Sequence, residues 1–307
     1  MSAVDTVTAF GNADPAAASS VPIQASFNIL SPDAWLSAAF SVAGYDKSQW
    51  RWINGQSYLS TWQIVGLGAA GYLGTIFGIQ FLMQSRKGFK LKRFTQIYNM
   101  FLTVASLALL VLFVEEVIPI VKEGGLFYSV CDKRARTQRL EVLNYLNYLT
   151  KWLEFTDTVV LALKKKPLKF LHVFHHTMTM ILCFTQMNDP TPLSWLAITL
   201  NLLVHVIMYY YFFLASCGIY SWWKKYVTVV QIIQFIIDLG FIYFCIYQII
   251  AWRYFPKVLP CYGDCVATKR SAVFGSTLFS SYLVLFVQFY QRTYLNKQTA
   301  NNKQKTQ

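Results

Sequence analysis

Long apolar blocks dominate the pattern of hydrophobic and polar positions along the chain. Most of the blocks hold about 20 residues or more, the length an α-helix needs to cross a hydrocarbon core of about 30 Å. The loops between them are short, and the sequence has no internal repeat. The pattern predicts an all-α integral membrane protein with one bundle of seven transmembrane helices, at residues 59–83, 94–118, 141–163, 168–187, 192–216, 227–251 and 272–294.

The composition supports a membrane protein, since 55% of the residues are hydrophobic and 13% are charged, against about 25% charged residues in soluble domains. Residues 1–56 differ from the bundle at 57–294. The first thirty contain no Lys or Arg, which argues against a cleaved signal peptide with a basic start. We expect disorder over 11–22, and either an interfacial helix or a plain linker over 32–45.

Basic residues set the predicted orientation, because cytosolic loops of membrane proteins are enriched in Lys and Arg. The net charge is +13, but the basic residues lie in short loops between helices, so a nucleic-acid partner is not expected. With the N-terminus outside the cytosol, 15 Lys and Arg lie on the cytosolic side and 11 on the opposite side. Residues 295–307 are then a basic cytosolic tail.

Polar residues recur at helical spacing inside the third, fourth, fifth and sixth predicted helices. Steps of three and four place them on one face of each helix, and ionisable groups inside a membrane mark function by default. Interhelical hydrogen bonding is the alternative for Asn144 and Gln186. The first, second and seventh helices have no such stripe. The stripe residues are Asn144, Asn147, Lys151, Glu154, Asp157, Thr158, His172, His175, His176, Thr179, Cys183, Gln186, Asn201, His205, Met208, Tyr209, Thr228, Gln231, Gln234 and Asp238.

The four stripes lie at a similar depth, counted at about 1.5 Å per residue from the helix ends. We therefore predict one polar chamber in the cytosolic half, with His175 facing His205. Asp238 is expected in the same chamber. Lys and Arg should ring its cytosolic opening, and a closed apolar tunnel lined by aromatic residues should continue beyond it.

Several chemistries are compatible with clustered histidines. A membrane di-iron desaturase or hydroxylase has a pattern of about eight histidines, whereas this chain has four. A single zinc ion needs only three histidine ligands, so the number of histidines does not exclude a zinc site. A retinal protein needs a Lys in its last helix, and 272–294 contains none. A receptor or a transporter also stays open, although the helices lack paired Gly and Pro breaks.

A histidine that acts on its own is the remaining interpretation. A neutral imidazole can attack a thioester and carry the acyl group. An apolar chamber with a basic opening suits a long acyl chain on a polyanionic carrier, because the cations would meet the phosphates of coenzyme A. The residues themselves indicate acyl-CoA transfer and nothing finer.

Four motifs, in order, resemble one known family. KWLEFTDT, HVFHH, NLLVHVIMYYYF and TVVQIIQF are similar to the motifs of the ELO family of very-long-chain fatty acid elongases, the membrane 3-ketoacyl-CoA synthases. The resemblance covers roughly 59–294 and looks fungal. It departs at Phe212, where the family pattern has Tyr, so any hydrogen bond from that position is in doubt.

The resemblance implies a seven-helix inverted barrel around a substrate tunnel, in the endoplasmic reticulum membrane, with a lumenal N-terminus and a cytosolic C-terminus. The implied reaction condenses a long-chain acyl-CoA with malonyl-CoA to 3-ketoacyl-CoA, CO2 and CoA. His175 would carry the acyl chain as an acyl-imidazole, with His205 facing it. The catalytic candidates are His175, His205, His172, His176, Glu154, Asp157 and Lys151.

The substrates also imply binding residues and partners. Asn201, His205 and Gln231 are candidate donors to the enolate oxygen. No cofactor and no metal are expected. The expected partners are the two CoA substrates, membrane lipid and the other enzymes of the elongation cycle, and a homodimer stays open. Saturated or monounsaturated chains of the sphingolipid type are favoured over polyunsaturated ones. The substrate-binding candidates are Asn201, Tyr209, Gln231, Gln234, Asp238, Lys224 and Lys225.

Three of the six cysteines lie in the two loops that the predicted topology places in the oxidising lumen. We expect a disulfide from Cys131 to Cys265, with Cys261 the less favoured partner. The tail KQKTQ resembles a dilysine retrieval signal, and a merely solvated tail is the equal alternative.

Overall fold

A computed structural model describes residues 32–42 and 46–296. In these ranges the chain is helical, without β-strands. The segment predicted to be disordered and residues 297–307, with the KQKTQ sequence, lie outside the described residues. The helices are α1 Pro32–Val42, α2 Trp62–Leu82, α3 Lys92–Cys131, α4 Gln138–Leu163, α5 Phe170–Asn188, α6 Ser194–Cys217, α7 Lys224–Tyr254 and α8 Lys269–Tyr290.

Helices α2 to α8 correspond one to one to the seven predicted helices. Five helices in the described part of the chain are long and apolar enough to cross a membrane, namely α2, α3, α6, α7 and α8 with its extension to Leu295. Helices α4 and α5 fall outside this set, and they carry the two polar stripes that hold Lys151, Glu154 and the three clustered histidines. Polar groups that face a protein interior lower the mean hydropathy of a helix without exposing charge to lipid.

Helix α3 is longer than predicted. Its helical residues run to Cys131, so the loop expected after residue 118 is mostly helix. Pro119 lies inside the helix, and Gly125 interrupts it with φ 76° and ψ 172°. Glycine adopts this positive φ without the steric cost that a Cβ atom brings, so the chain changes direction at Gly125 and reaches Cys131.

The long helices pack as a closed circuit. In order, α3 contacts α4, α4 contacts α5, α5 contacts α8, α8 contacts α7, α7 contacts α6, and α6 returns to α3. Helix α2 packs against α4 and α5, where the Tyr72 hydroxyl donates to Thr158 Oγ1 at 2.8 Å. The circuit therefore contains six helices, with α2 packed beside it.

The described residues before α2 pack against α3 and the start of α4. The segment over 32–45 contains a helix, α1, which packs on α3 through the buried residues Leu36 and Phe40. Beyond it, the backbone N–H of Trp52 donates to Glu141 at 2.7 Å, and the ring of Trp50 stacks on Tyr145 at 4.7 Å between centroids. These contacts close one end of the α4–α5 pair.

A disulfide joins the end of α3 to the α7–α8 loop. It links Cys131 to Cys265, whose Cα atoms are 4.2 Å apart. Cys261 is a free thiol. Cys245 on α7 is also free and buried, and its Sγ atom lies 4.0 Å from that of Cys131. The bridge fixes both segments at the same end of the bundle.

Candidate active site

A cavity of about 540 Å³ lies inside the helix circuit. Helices α3 to α8 all contribute to its wall. The polar stripes predicted on α4, α5, α6 and α7 therefore converge on one space, as their common depth indicated. The predicted site residues that line it are Asp157, His172, His175, His176, Asn201, His205, Lys224, Gln231 and Gln234.

The three clustered histidines of α5 all line this cavity. The rings of His172 and His176 are 4.4 Å apart between centroids, as expected for positions one turn apart, and those of His175 and His176 are 5.7 Å apart. The ring of His175 packs against Tyr282 of α8 at 4.9 Å. His205 of α6 lines the same cavity.

Glu154 is the centre of a buried charge network behind this wall. It is 3% exposed, and its Oε1 atom accepts a hydrogen bond from Lys151 Nζ at 2.8 Å. The Nδ1 atom of His205 lies 3.4 Å from the same oxygen, and Nδ1 of His176 lies 4.0 Å from Oε2. Lys151 also donates to Asn201 Oδ1 at 3.0 Å, so the network joins α4, α5 and α6.

Asp157 and Tyr209 form a second polar contact between α4 and α6. The Tyr209 hydroxyl donates to Asp157 Oδ2 at 2.7 Å. Tyr209, a predicted substrate-binding residue, is 1% exposed and is not part of the cavity wall. The Tyr209 hydroxyl binds the carboxyl group of Asp157, which does line the cavity. Tyr209 therefore lies behind Asp157 as seen from the cavity.

Basic side chains mark one end of the cavity. Lys164 and Lys169, which flank the α4–α5 loop, line it together with Lys224. Lys225 is not part of the wall, and its Nζ lies 5.0 Å from the ring centroid of Tyr226, so its role in binding stays a prediction. Burial lowers the pKa of Lys164, and the charge of Lys166 lowers it further. A bound polyanion would act in the opposite direction.

Sequence reasoning missed two sets of residues that contribute to the site. Helix α3, which was expected to lack a polar stripe, supplies Tyr98 and Asn99 to the wall, and Asn99, Thr103 and Ser106 are buried polar residues at helical spacing. That spacing is a signal in the sequence, hidden among strongly apolar neighbours. The other contribution is the hydroxyl of Tyr282, which is 2.9 Å from Thr179 Oγ1 and donates to the His175 carbonyl at 3.4 Å.

Asp238 is a further correction, because it lines a separate cavity. This second cavity, of about 80 Å³, lies between α5, α6, α7 and α8. Its wall is mainly aliphatic, with Phe274 and Phe279 as its aromatic residues, whereas an aromatic tunnel was predicted. Asp238 accepts a hydrogen bond from Gln234 Nε2 at 3.2 Å, so this pair spans the layer between the two cavities.

The histidines and carboxylates of the site do not converge as metal ligands usually do. In the described ranges, the group of three or more His, Cys, Asp or Glu ligand atoms within 4.8 Å of one another is Cys131, Cys245 and Cys265. Two of these sulfurs already form the disulfide. What the site offers is a row of imidazoles beside a Lys–Glu pair and several amide donors.

Comparison with known proteins decides the family. The model of the ELO family, described as the GNS1/SUR4 family, matches residues 57–302. The chain belongs to the ELO family. The match contains the whole helix circuit and every predicted site residue of this ELO chain.

Relatives extend across fungi and animals. "Putative fatty acid elongase 1" of Schizosaccharomyces pombe is 50% identical over 267 residues, which is 87% of this ELO chain and 80% of the relative. "Putative fatty acid elongase 2" of the same organism is 42% identical over 263 residues, 85% and 72% of the two chains. "Very long chain fatty acid elongase 7" of Rattus norvegicus is 32% identical over 255 residues, 77% and 82%.

Proposed function

We propose that this protein is a fatty acid elongase that condenses a long-chain acyl-CoA with malonyl-CoA. The products are 3-ketoacyl-CoA, CO2 and CoA. The observation that carries the proposal is the placement of His175 and His205 on one cavity inside the helix circuit, whose end bears Lys164, Lys169 and Lys224. A concave site suits the acyl thioester, and the three cations suit the phosphates of the carrier.

The proposal includes a membrane topology. All seven helices α2 to α8 cross the membrane, because α4 and α5 are part of the closed circuit and turn their polar stripes toward its interior. The N-terminus is then lumenal and the C-terminus cytosolic, in the endoplasmic reticulum. The Cys131–Cys265 disulfide supports this orientation, since it would lie on the oxidising side.

The first step is acyl transfer to His175. A nitrogen of the His175 imidazole attacks the thioester carbonyl, an N–C bond forms, and the C–S bond breaks. The thiolate of coenzyme A leaves and takes the N–H proton of the acylated imidazole, so CoA is released as the thiol and the acyl-imidazole is neutral. The acyl group remains on the imidazole, held beside Tyr282 and Phe286, whose rings pack against His175 at 4.9 and 6.0 Å.

The second step is decarboxylative condensation. Malonyl-CoA loses CO2 and leaves an enolate, whose oxygen needs hydrogen-bond donors. Asn201, His205 and Gln231 line the cavity and are the candidate donors. The enolate carbon attacks the acyl carbonyl, a C–C bond forms, and the N–C bond to His175 breaks. Glu154 positions His205 and Lys151 through its shared oxygen.

The acyl chain would extend from the reaction cavity into the second cavity. Both spaces are bounded by α5, α6, α7 and α8. Phe235 on the wall of the reaction cavity packs against Phe279 on the wall of the second cavity, with 6.3 Å between ring centroids, and these rings form a layer between the two. We expect the chain to part this layer when it binds. An aliphatic wall suits saturated or monounsaturated chains, which bury apolar surface without needing polar partners.

The test is expression in a host that lacks its own elongases, followed by profiling of its fatty acids. We expect longer saturated or monounsaturated chains, and none with His175→Ala inserted at the same level. A host whose profile is unchanged by the wild-type protein, correctly inserted and supplied with both substrates, would contradict the proposal.

A further inference from the structure

The second cavity has one feature that an aliphatic tube for a plain acyl chain does not need. Asp238 lines this cavity from the middle of α7 and is 2% exposed. Its Oδ2 atom accepts the hydrogen bond from Gln234. Its other oxygen, Oδ1, is buried and has no hydrogen-bond partner among the described residues.

A buried carboxylate with one unpaired oxygen is costly. Removing a charged or polar group from water without a compensating hydrogen bond destabilises a fold by several kcal/mol, roughly. The other polar residues of this wall, among them Gln186, Asp189, Thr191 and Ser194, form no hydrogen bond with Asp238 Oδ1. Thr185 donates to the Leu182 carbonyl at 2.7 Å, Ser194 accepts from Asn144, and Ser271 caps the start of α8. Asp238 therefore brings to this wall a buried oxygen that no described residue satisfies.

The chemistry of the wall narrows the ligand. The group that meets Oδ1 must form a hydrogen bond with the carboxyl in either state, by donating to the ionised form or by accepting from the protonated form. It must also be carried by an apolar chain, because Leu182, Ile242 and Phe279 line the same space. A hydroxyl satisfies both conditions.

The position on α7 indicates where on the chain this hydroxyl lies. Gln234 lines the reaction cavity with the histidines, and Asp238 lines the second cavity one helical turn further on, about 6 Å along the axis. The thioester end of the chain lies at His175. The hydroxyl therefore belongs to a carbon well beyond the two that react.

We infer that Asp238 is a specificity-determining residue that binds a hydroxyl group on the distal part of the acyl chain. Elongation of hydroxylated acyl-CoAs is thus an activity of this protein beside that on plain chains. The inference rests on the proposed function, since it places the acyl chain in the second cavity.

The test compares kcat/KM for a plain acyl-CoA and for acyl-CoAs of the same length with one hydroxyl at successive carbons, using purified full-length protein and malonyl-CoA. In the wild type, the ratio of hydroxylated to plain substrate should peak at one carbon or two adjacent carbons. Asp238→Leu should lower the ratio of hydroxylated to plain substrate at that peak about tenfold, because the hydroxyl loses its partner. Asp238→Asn, which keeps an acceptor of the same shape, should retain most of the peak.

Thr185→Val is the matched control, since it removes a hydroxyl from the same wall and should not move the ratio. A ratio without a peak in the wild type overturns the inference, and this needs no variant to fold. Equal losses on both substrates in Asp238→Leu would also overturn it, because they would indicate a structural role. Absence of condensation with the plain substrate would instead contradict the proposed function.

Discussion

His205 and Glu154 meet at the buried centre of the site, where Nδ1 of His205 lies 3.4 Å from Glu154 Oε1. The same oxygen accepts the hydrogen bond from Lys151 at 2.8 Å. One carboxylate from α4 therefore orients a histidine of α6 and neutralises a lysine of its own helix. Both functions depend on the negative charge of Glu154.

Glu154→Gln should lower kcat about 100-fold, since removal of a group that orients or assists a catalytic base typically costs that much. The KM for acyl-CoA should change little, because Glu154 lies behind the wall and not on it. Steady-state kinetics measures both constants. Glu116→Gln is the control, as Glu116 pairs with Arg139 away from the cavity. A similar loss in both variants would contradict the assignment.

Lys151→Met should destabilise the protein by about 3–5 kcal/mol, because it leaves the buried charge of Glu154 without its partner. The double variant Lys151→Met/Glu154→Leu should recover part of this loss, since neither charge is then left alone. Thermal unfolding in detergent compares the three proteins. A double variant less stable than Lys151→Met would argue against the ion pair.

Lys224→Ala should raise the KM for acyl-CoA several-fold, and the effect should shrink as salt is added, because salt screens exposed charges. Lys224 lines the cavity, whereas its neighbour Lys225 does not. Lys225→Ala therefore serves as the control and should leave KM unchanged. An equal rise in KM in both variants would support the prediction from the sequence, which names both lysines, and would contradict a binding surface limited to the observed wall.

Cys131→Ser should abolish the mobility shift that the wild type shows between reducing and non-reducing gels, and Cys261→Ser should not. The serine is placed at Cys131 because Cys265→Ser would leave Cys131 within 4.0 Å of Cys245, a replacement partner. The bridge closes a separation of 134 residues, so its loss should also lower thermal stability. A shift that survives in Cys131→Ser would contradict the pairing.

Tyr209→Phe should lower the stability of the protein by about 1 kcal/mol, a typical net contribution of one intramolecular hydrogen bond. The Tyr209 hydroxyl donates a hydrogen bond to Asp157 Oδ2 at 2.7 Å. Tyr210→Phe, on the exposed side of the same helix, is the control in the same unfolding experiment. Equal stability of both variants would mean that the Asp157 contact contributes nothing.

Much of the fold could be predicted from the sequence because it depends on two simple periodicities. Apolar length located every long helix, and spacing of three and four located the faces that meet at the cavity. The end of α3 could not be predicted in this way. Its last turns contain Pro119, Glu123 and two glycines, which are typical of a loop, and the helix is restored there by packing that a local pattern does not contain.

Sequence reasoning identified the site residues that stand out as charged groups or histidines inside a membrane helix, and it missed the site residues that do not stand out in this way. The stripes of α4 and α5 stand out because Lys, Glu and His are rare in membranes. Asn99 and Tyr282 are ordinary residues for a membrane helix, and their place in the site follows from which helices become neighbours. Asp238 was assigned to the wrong cavity for a related reason. Its depth along α7 does not reveal the layer of packed side chains that separates the two cavities.

The most direct test is the mass of the protein after mixing with acyl-CoA in the absence of malonyl-CoA. The account predicts the addition of one acyl group, which peptide mapping locates on His175, and its loss when malonyl-CoA is added. Condensation by the same preparation with no acyl group on the protein, or with the acyl group on another residue, would contradict the assignment of His175 as the nucleophile.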